Sequence, residues 1–142
     1  MDYQQQKSAI NTTVKTSQQF IIFAGIGAIG TVGHYATLIL LVQFMHIAPV
    51  IATTIGFVVG AQINYLLNYH ITFNSNKRHR EALTKFLLVA GFGTIINAAI
   101  VVAGINLFEM HYLVIQVIAT CFVLIINFIA NKYWTFAGRQ FK

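Results

Sequence analysis

Residues 16–76 read TSQQFIIFAGIGAIGTVGHYATLILLVQFMHIAPVIATTIGFVVGAQINYLLNYHITFNSN and contain no aspartate, glutamate, lysine or arginine. A helix crosses a membrane with about 20 mostly apolar residues, so this stretch is long enough for two crossings. Pro49, the only proline of the chain, divides it, because proline is tolerated in the first turn of a helix, where its missing N–H would have no partner. The stretch therefore predicts membrane-spanning helices near residues 18–44 and 49–73.

The second half of the chain has the same organisation. After a polar segment at residues 74–81, an apolar run reaches Asn131 with Glu109 as its only charge beyond Lys85. We therefore expect two further helices, at about residues 84–105 and 112–136. A chain in hydrocarbon must pair its backbone groups internally, and a barrel would need alternating polarity, which these runs lack. The predicted fold class is an all-α membrane protein with four transmembrane helices.

Composition excludes several other classes of protein. Of the 142 residues, 57% are hydrophobic and 8% are charged, whereas soluble domains carry about 25% charged residues. Disordered chains are polar and rich in charge, and the single cysteine, Cys121, excludes a disulfide framework. Nine basic residues against three acidic ones would suggest nucleic acid in a soluble protein, but here we expect no nucleic-acid partner.

The basic residues all lie on one side of the predicted helices. They lie before the first helix, between the second helix and the start of the third, or at the end of the fourth and beyond it: Lys7, Lys15, Lys77, Arg78, Arg80, Lys85, Lys132, Arg139 and Lys142. The positive-inside rule makes that side cytoplasmic. We therefore expect both termini inside, with cytoplasmic tails at residues 1–17 and 139–142 around a transmembrane domain at 18–138.

The chain also repeats itself. A shift of 63 residues aligns Phe23 with Phe86 and aligns the motif NYLLNYHITF at residues 64–73 with NFIANKYWTF at residues 127–136. Each copy covers one predicted helical hairpin, and a hairpin returns the chain to the side where it began. The two hairpins are therefore predicted to be parallel repeats about an axis along the membrane normal, an arrangement that favours a site at that axis.

The repeated motif supplies the first candidate site. Asn64 and Asn68 share a helix face because they are four residues apart, and so do Asn127 and Asn131. Together with nearby cations they predict a polar pocket at the inner leaflet, suited to an anionic group such as a phosphate. The cations are Lys85, Lys132, Arg78 and Arg80. Alternatively, the asparagines only join helices and Lys132 only extends its ammonium toward the interface.

His34 and Asn97 are equivalent in the repeat and lie deeper in the predicted helices. They are candidates for binding a substrate along a polar path, or for hydrogen-bonded packing. The glycines of the first two helices, including Gly25, Gly30 and Gly60, are expected to allow close helix packing. Four aromatic residues are expected to form a belt at the membrane interface: Tyr65, Tyr69, Tyr133 and Trp134.

Enzymatic and coupled-transport functions lack their usual residues. The chain has no paired carboxylates, no cysteine and histidine set with metal-ligand spacing, and no phosphate-binding loop of an ATPase. We therefore expect a protein that is not an enzyme and that uses no cofactor or metal. A small drug/proton antiporter would need a carboxylate well inside a span, and none is present.

These motifs resemble the GtrA-like family. The resemblance rests on F-x-x-x-G-x-x-G-T from Phe23 to Thr31 and on the two asparagine motifs, and it covers about residues 18–138. It implies a protein of the bacterial cytoplasmic membrane that flips a monosaccharide linked to a polyprenyl phosphate, such as undecaprenyl phosphate. A glycosyltransferase outside then uses the sugar on O-antigen, teichoic acid or a similar cell-envelope polymer.

The resemblance also implies partners and an alternative. The partners are the polyprenyl-phosphate-sugar lipid, other membrane lipids and a polyprenyl-phosphate glycosyltransferase, and four helices favour a homo-oligomer. In the alternative, the protein does not transport but recruits or regulates that glycosyltransferase. Two positions differ from the family pattern, because Tyr69 stands where a basic residue is common and His34 stands where an acidic one is common.

Overall fold

The computed structural model describes residues 3–109 and 111–137, and it describes the side chains of residues 15–109, 111 and 113–137. The described residues form helices and connecting turns, with no strand among them. The main helices are α1 (Tyr3–Ile39), α2 (Pro49–Leu67), α3 (His79–Phe108) and α4 (Tyr112–Ala130).

The predicted all-α class with four transmembrane helices is confirmed. Four stretches are long and apolar enough to cross a membrane, namely Lys15–Phe44, Pro49–Thr72, His79–Phe108 and Leu113–Thr135. The helices run further than their apolar cores, since α1 begins at Tyr3 and α3 begins at His79. In α3 the extension places Glu81 in the first turn, where a negative charge interacts favourably with the helix dipole. The predicted tail at residues 139–142 lies outside the described residues.

Three helices end in a wide π-helical turn. These turns are Leu40–Phe44, Asn68–Thr72 and Asn131–Thr135, and the last two occupy equivalent positions of the repeat. In each of these last two turns a backbone bond spans five residues, from Phe73 N to Asn68 O at 3.0 Å and from Phe136 N to Asn131 O at 2.9 Å. Such turns are rare in proteins, and those that occur often lie at functional sites. Both begin at the second asparagine of the repeated motif.

The chain consists of two compact units, Met1–Asn74 and Ser75–Lys142. The first contains α1 and α2 and is called hairpin 1, and the second contains α3 and α4 and is called hairpin 2. The repeat is visible in their contacts. The rings of Phe23 and Phe73 lie 6.1 Å apart in hairpin 1, and those of Phe86 and Phe136 lie 6.2 Å apart in hairpin 2. These two pairs of equivalent rings therefore make equivalent contacts.

Glycines set the separation of the helices in hairpin 1. A Cβ atom on Gly60 would lie 2.6 Å from the carbonyl oxygen of Gly30, so the two backbones touch there. Gly56 and Gly33 also face the opposite helix closely. The predicted packing role is confirmed for these positions and is wrong for Gly25, where a Cβ atom would meet nothing within 4 Å.

The aromatic belt is only half as predicted. Tyr133 and Trp134 are 68% and 47% exposed, but Tyr65 and Tyr69 are 4% and 6% exposed. The two buried rings contact each other, with centroids 5.8 Å apart. Residues four apart share a helix face, and this face of α2 points inward. The sequence indicates how deep a residue lies along the helix, but it does not indicate how the helix is rotated about its axis.

Candidate functional site

The side chains of the asparagine motif in hairpin 1 form a continuous series of hydrogen bonds. Asn68 is fully buried. Its Nδ2 donates to Asn64 O at 3.0 Å and to Asn64 Oδ1 at 2.5 Å, and its Oδ1 accepts from Thr72 Oγ1 at 2.7 Å. The carbonyl of Thr72 accepts from Gln19 Nε2 of α1 at 3.3 Å. These asparagine bonds lie within one helix, and the bond between Gln19 and Thr72 connects them to α1.

The same motif in hairpin 2 is incompletely bonded. Asn131 Nδ2 donates to Asn127 O at 2.8 Å, as its counterpart does in hairpin 1. However, Asn127 Oδ1, Asn131 Oδ1 and Thr135 Oγ1 are buried and have no hydrogen-bond partner among the described residues. A buried polar atom without a partner costs about 1–3 kcal/mol. Hairpin 2 therefore holds hydrogen-bonding capacity that hairpin 1 uses internally.

His34 and Asn97 each bridge the two helices of their hairpin. His34 Nε2 lies 3.2 Å from Thr53 Oγ1, and Asn97 Oδ1 accepts from Gln116 Nε2 at 3.4 Å. Thr53 and Gln116 are themselves equivalent in the repeat, so both hairpins contain this bridge at the same position. Gln116 Nε2 also donates to Thr120 Oγ1 at 3.0 Å. Both residues therefore make the hydrogen bonds expected of a packing role, and their role in binding a substrate stays a prediction.

A groove in hairpin 2 brings Asn97 and Asn127 together. It has a volume of about 370 Å³, and half of its lining residues carry hydroxyl or amide groups. The lining residues are Ala90, Gly93, Thr94, Asn97, Thr120, Val123, Leu124 and Asn127. Thr94 and Thr120 were not among the residues predicted from the sequence. The signal that could have found Thr120 is its spacing of seven from Asn127, which puts both on one helix face.

Residues 75–77, which precede α3, bond the backbone at the end of α4. Lys77 Nζ donates to the carbonyl of Trp134 at 2.8 Å, and Ser75 Oγ donates to that of Phe136 at 3.1 Å. Lysine side chains commonly bond the last carbonyls of a helix, so both residues cap the wide turn after α4. Burial lowers the pKa of Lys77, the nearby ammonium of Lys85 lowers it further, and Glu81 opposes the shift.

The predicted cations have different surroundings. Lys85 Nζ bonds Glu81 Oε1 at 2.8 Å and lies 5.3 Å from the ring centre of Trp134, so Glu81 balances part of its charge. Lys132 Nζ lies over the rings of Phe128 and Tyr133, at 5.8 Å and 5.5 Å. Arg78 occupies the N-cap position of α3 without a side-chain cap bond, and Arg80 follows in the first turn; both are exposed. All four cations belong to hairpin 2.

A protein-family model matches most of this sequence. The model for the GtrA/DPMS transmembrane domain matches residues 22–136, from α1 to the wide turn after α4. The chain belongs to the GtrA/DPMS family. The resemblance expected from the motifs is thereby confirmed. No curated protein matches the chain in sequence.

Membership makes the chain a multi-pass membrane protein tied to the handling of polyprenyl-phosphate-linked sugars. Within this GtrA/DPMS domain, the structure adds four residues to the candidate site: Thr94, Thr120, Lys77 and Ser75. Lys77 was predicted only as one of the cytoplasmic cations. Its capping role depends on the approach of residues 75–77 to the end of α4, and no local pattern encodes that approach.

Replacing Lys77 with methionine is expected to lower the free energy of unfolding by about 1 kcal/mol, because the carbonyl of Trp134 loses its donor. The matched control is Arg80→Met, which removes an exposed cation three residues away. Unfolding by sodium dodecyl sulfate in mixed micelles, followed by circular dichroism, measures both. An equal loss of stability in the two variants would contradict the capping role.

Proposed function

We propose that this GtrA-family protein flips a polyprenyl-phosphate-linked monosaccharide from the inner to the outer leaflet of a bacterial cytoplasmic membrane. The observation that carries the proposal is a polar groove in the otherwise apolar hairpin 2. The start of α3 and the end of α4 are rich in cations. A sugar crossing hydrocarbon must exchange its hydrogen bonds with water for bonds to protein. A phosphate needs a cation at the point where it enters, and the prenyl chain needs only lipid.

The spacing of the groups in hairpin 2 fits such a lipid. Lys132 follows Asn127 by five residues, or about 8 Å along a helix axis. In this proposal a phosphate held by the long side chain of Lys132 presents its sugar to the groove at Asn127. Arg78 and Arg80 would attract the head group at the membrane surface, and Lys85 would contribute the share of its charge that Glu81 leaves unbalanced. Asn131, between the two sites, completes the predicted binding set in this hairpin.

The direction of transport follows from the charges and from the missing energy source. The cation-rich end is cytoplasmic by the positive-inside rule, which places both termini inside. The sequence has no ATP-binding loop and no carboxylate well inside a span. Transport is therefore downhill, drawn by a glycosyltransferase that consumes the sugar outside, and the protein itself performs no catalysis. Hairpin 1 contributes Asn64, Asn68 and His34 as structural counterparts.

Replacing Lys132 with alanine is expected to slow flipping about tenfold or more, because a hydrogen bond to a charged group contributes about 1.5–3 kcal/mol. The assay uses proteoliposomes loaded with a radiolabelled polyprenyl-phosphate hexose, and periodate, which does not cross the bilayer, oxidises the sugars that reach the outside. The matched control is Lys15→Ala, which removes an exposed lysine of α1 from the same predicted side.

Two outcomes would contradict the proposal. Equal rates for Lys132→Ala and the wild type would remove Lys132 from the phosphate site. A wild-type protein that flips nothing, but that co-purifies with a polyprenyl-phosphate glycosyltransferase and changes its activity, would favour the recruiting role instead.

A further inference from the structure

The two hairpins differ at one position that sets the distance between their helices. In hairpin 1, Gly30 and Gly60 bring the backbones of α1 and α2 into contact. Their equivalents in hairpin 2 are Gly93 and Val123. A Cβ atom on Gly93 would meet the side chains of Val123 and Asn127, at 3.1 Å and 2.7 Å, and no backbone atom is among its nearest neighbours. Side chains therefore separate α3 from α4 where backbones meet in hairpin 1.

That separation coincides with the groove of about 370 Å³. The groove residue Thr120 has Phe57 as its equivalent in hairpin 1, and Phe57 is 59% exposed. Val123 has Gly60 as its equivalent, which is sealed against Gly30. Hairpin 1 thus has an aromatic residue and a backbone contact at the positions where hairpin 2 has the hydroxyl group of Thr120 and the side chain of Val123.

The lining of the groove indicates the chemistry of its ligand. Its polar groups are hydroxyls and amides, and none of its eight lining residues is charged. Asn127 Oδ1 is buried and has no hydrogen-bond partner among the described residues, so its capacity to accept a hydrogen bond is unused. Asn97 Oδ1 receives only a long bond of 3.4 Å. Sugar hydroxyl groups donate and accept, so they satisfy such a lining, whereas a charged group would find no counter-charge and would be costly to bury.

The volume limits the ligand as well. Sites for small molecules span about 300–1,000 Å³, and this groove is at the lower end of that range. It offers room for a single sugar ring rather than for an oligosaccharide.

We propose that the duplicated hairpins have diverged, so that hairpin 2 alone binds the sugar, in the groove of Thr94, Asn97, Thr120 and Asn127, and accepts an uncharged monosaccharide. This inference rests on the proposed function, which supplies the lipid-linked sugar as the ligand. Hairpin 1 keeps the bonded form of the motif and acts as a packing unit. The phosphate binds outside the groove, at the cations.

The test introduces the hairpin 1 residue into hairpin 2. Thr120→Phe places at the groove the residue type that hairpin 1 has at the equivalent position, Phe57, and its ring is expected to fill the groove. Ile118→Phe is the matched control, since it adds the same ring to the same helix at a residue that is 47% exposed and does not line the groove. Binding is followed through the fluorescence of Trp134, the only tryptophan, with a polyprenyl-phosphate hexose and with the polyprenyl phosphate that lacks the sugar.

We expect Thr120→Phe to weaken binding of the sugar-bearing lipid about tenfold and to leave binding of the sugar-free lipid unchanged. Ile118→Phe should change neither. A polyprenyl-phosphate uronic acid should bind the wild type about tenfold more weakly than the hexose. If Thr120→Phe does not fold, Thr120→Val removes the hydroxyl at nearly constant volume and should still reduce the preference for the sugar.

The result that overturns the inference is a wild type that binds the two lipids equally, or a Thr120→Phe variant that loses both equally. This outcome is distinct from failure of the proposed function. A protein that binds the sugar-bearing lipid selectively in the groove but never flips it would refute transport and leave the groove assignment intact.

Discussion

Replacing Gly60 with alanine is expected to lower the free energy of unfolding by about 1–3 kcal/mol, the usual cost of adding a methyl group to a tightly packed contact. The added Cβ atom would lie 2.6 Å from the carbonyl oxygen of Gly30 and 3.1 Å from the Cβ of His34. The carbonyl is backbone and cannot rotate away, so α1 and α2 must move apart. That movement would also lengthen the bridge between His34 and Thr53.

The control is the same substitution at Gly25, where a Cβ atom would meet nothing within 4 Å. Alanine is the better helix former by about 1 kcal/mol, so Gly25→Ala should be neutral or stabilising. Gly91→Ala provides the corresponding control in hairpin 2, because its Cβ atom would also meet nothing within 4 Å. Unfolding by sodium dodecyl sulfate in mixed micelles measures all three, and equal destabilisation by Gly60→Ala and Gly25→Ala would refute the backbone contact.

The second large effect is a difference between equivalent asparagines. Asn68→Leu is expected to lower the free energy of unfolding by about 3 kcal/mol, since it removes several buried hydrogen bonds and leaves Thr72 Oγ1 without its acceptor. Asn131→Leu should lower it by about 1 kcal/mol or less, because it removes one described bond together with an acceptor that has no partner within residues 15–109, 111 and 113–137. The substitution and the burial are matched, as Asn68 and Asn131 are 0% and 2% exposed.

Flipping activity should show the opposite order once it is corrected for the amount of folded protein. Asn131→Leu alters the hairpin that we propose to bind the lipid, so the folded variant should transport more slowly. Folded Asn68→Leu protein should transport at nearly the wild-type rate. The same micelle unfolding and the periodate assay measure both quantities. Equal loss of stability, or a specific activity lower in Asn68→Leu than in Asn131→Leu, would show that the hairpins have not divided their roles.

The amino-acid sequence alone determined the number of spans, the break at Pro49 and the duplication. These features depend on the length and polarity of segments, because hydrocarbon admits helices of about 20 apolar residues and little else. The exact offset of the repeat also carried over into contacts, as the paired rings of Phe23 with Phe73 and of Phe86 with Phe136 demonstrate. The family followed from the same motifs.

Only the tertiary structure decided which way each helix faces and how closely it approaches its neighbour. Rotation buried Tyr65 and Tyr69 and left Gly25 open, although hydropathy treats both faces of an apolar helix alike. The chain path brought Lys77 to the carbonyl of Trp134 at the end of α4. The polar groove depends on the distance between α3 and α4, which the bulk of Val123 sets where Gly60 allows contact in hairpin 1. Such a distance is a property of two surfaces packed together, so no single segment contains it.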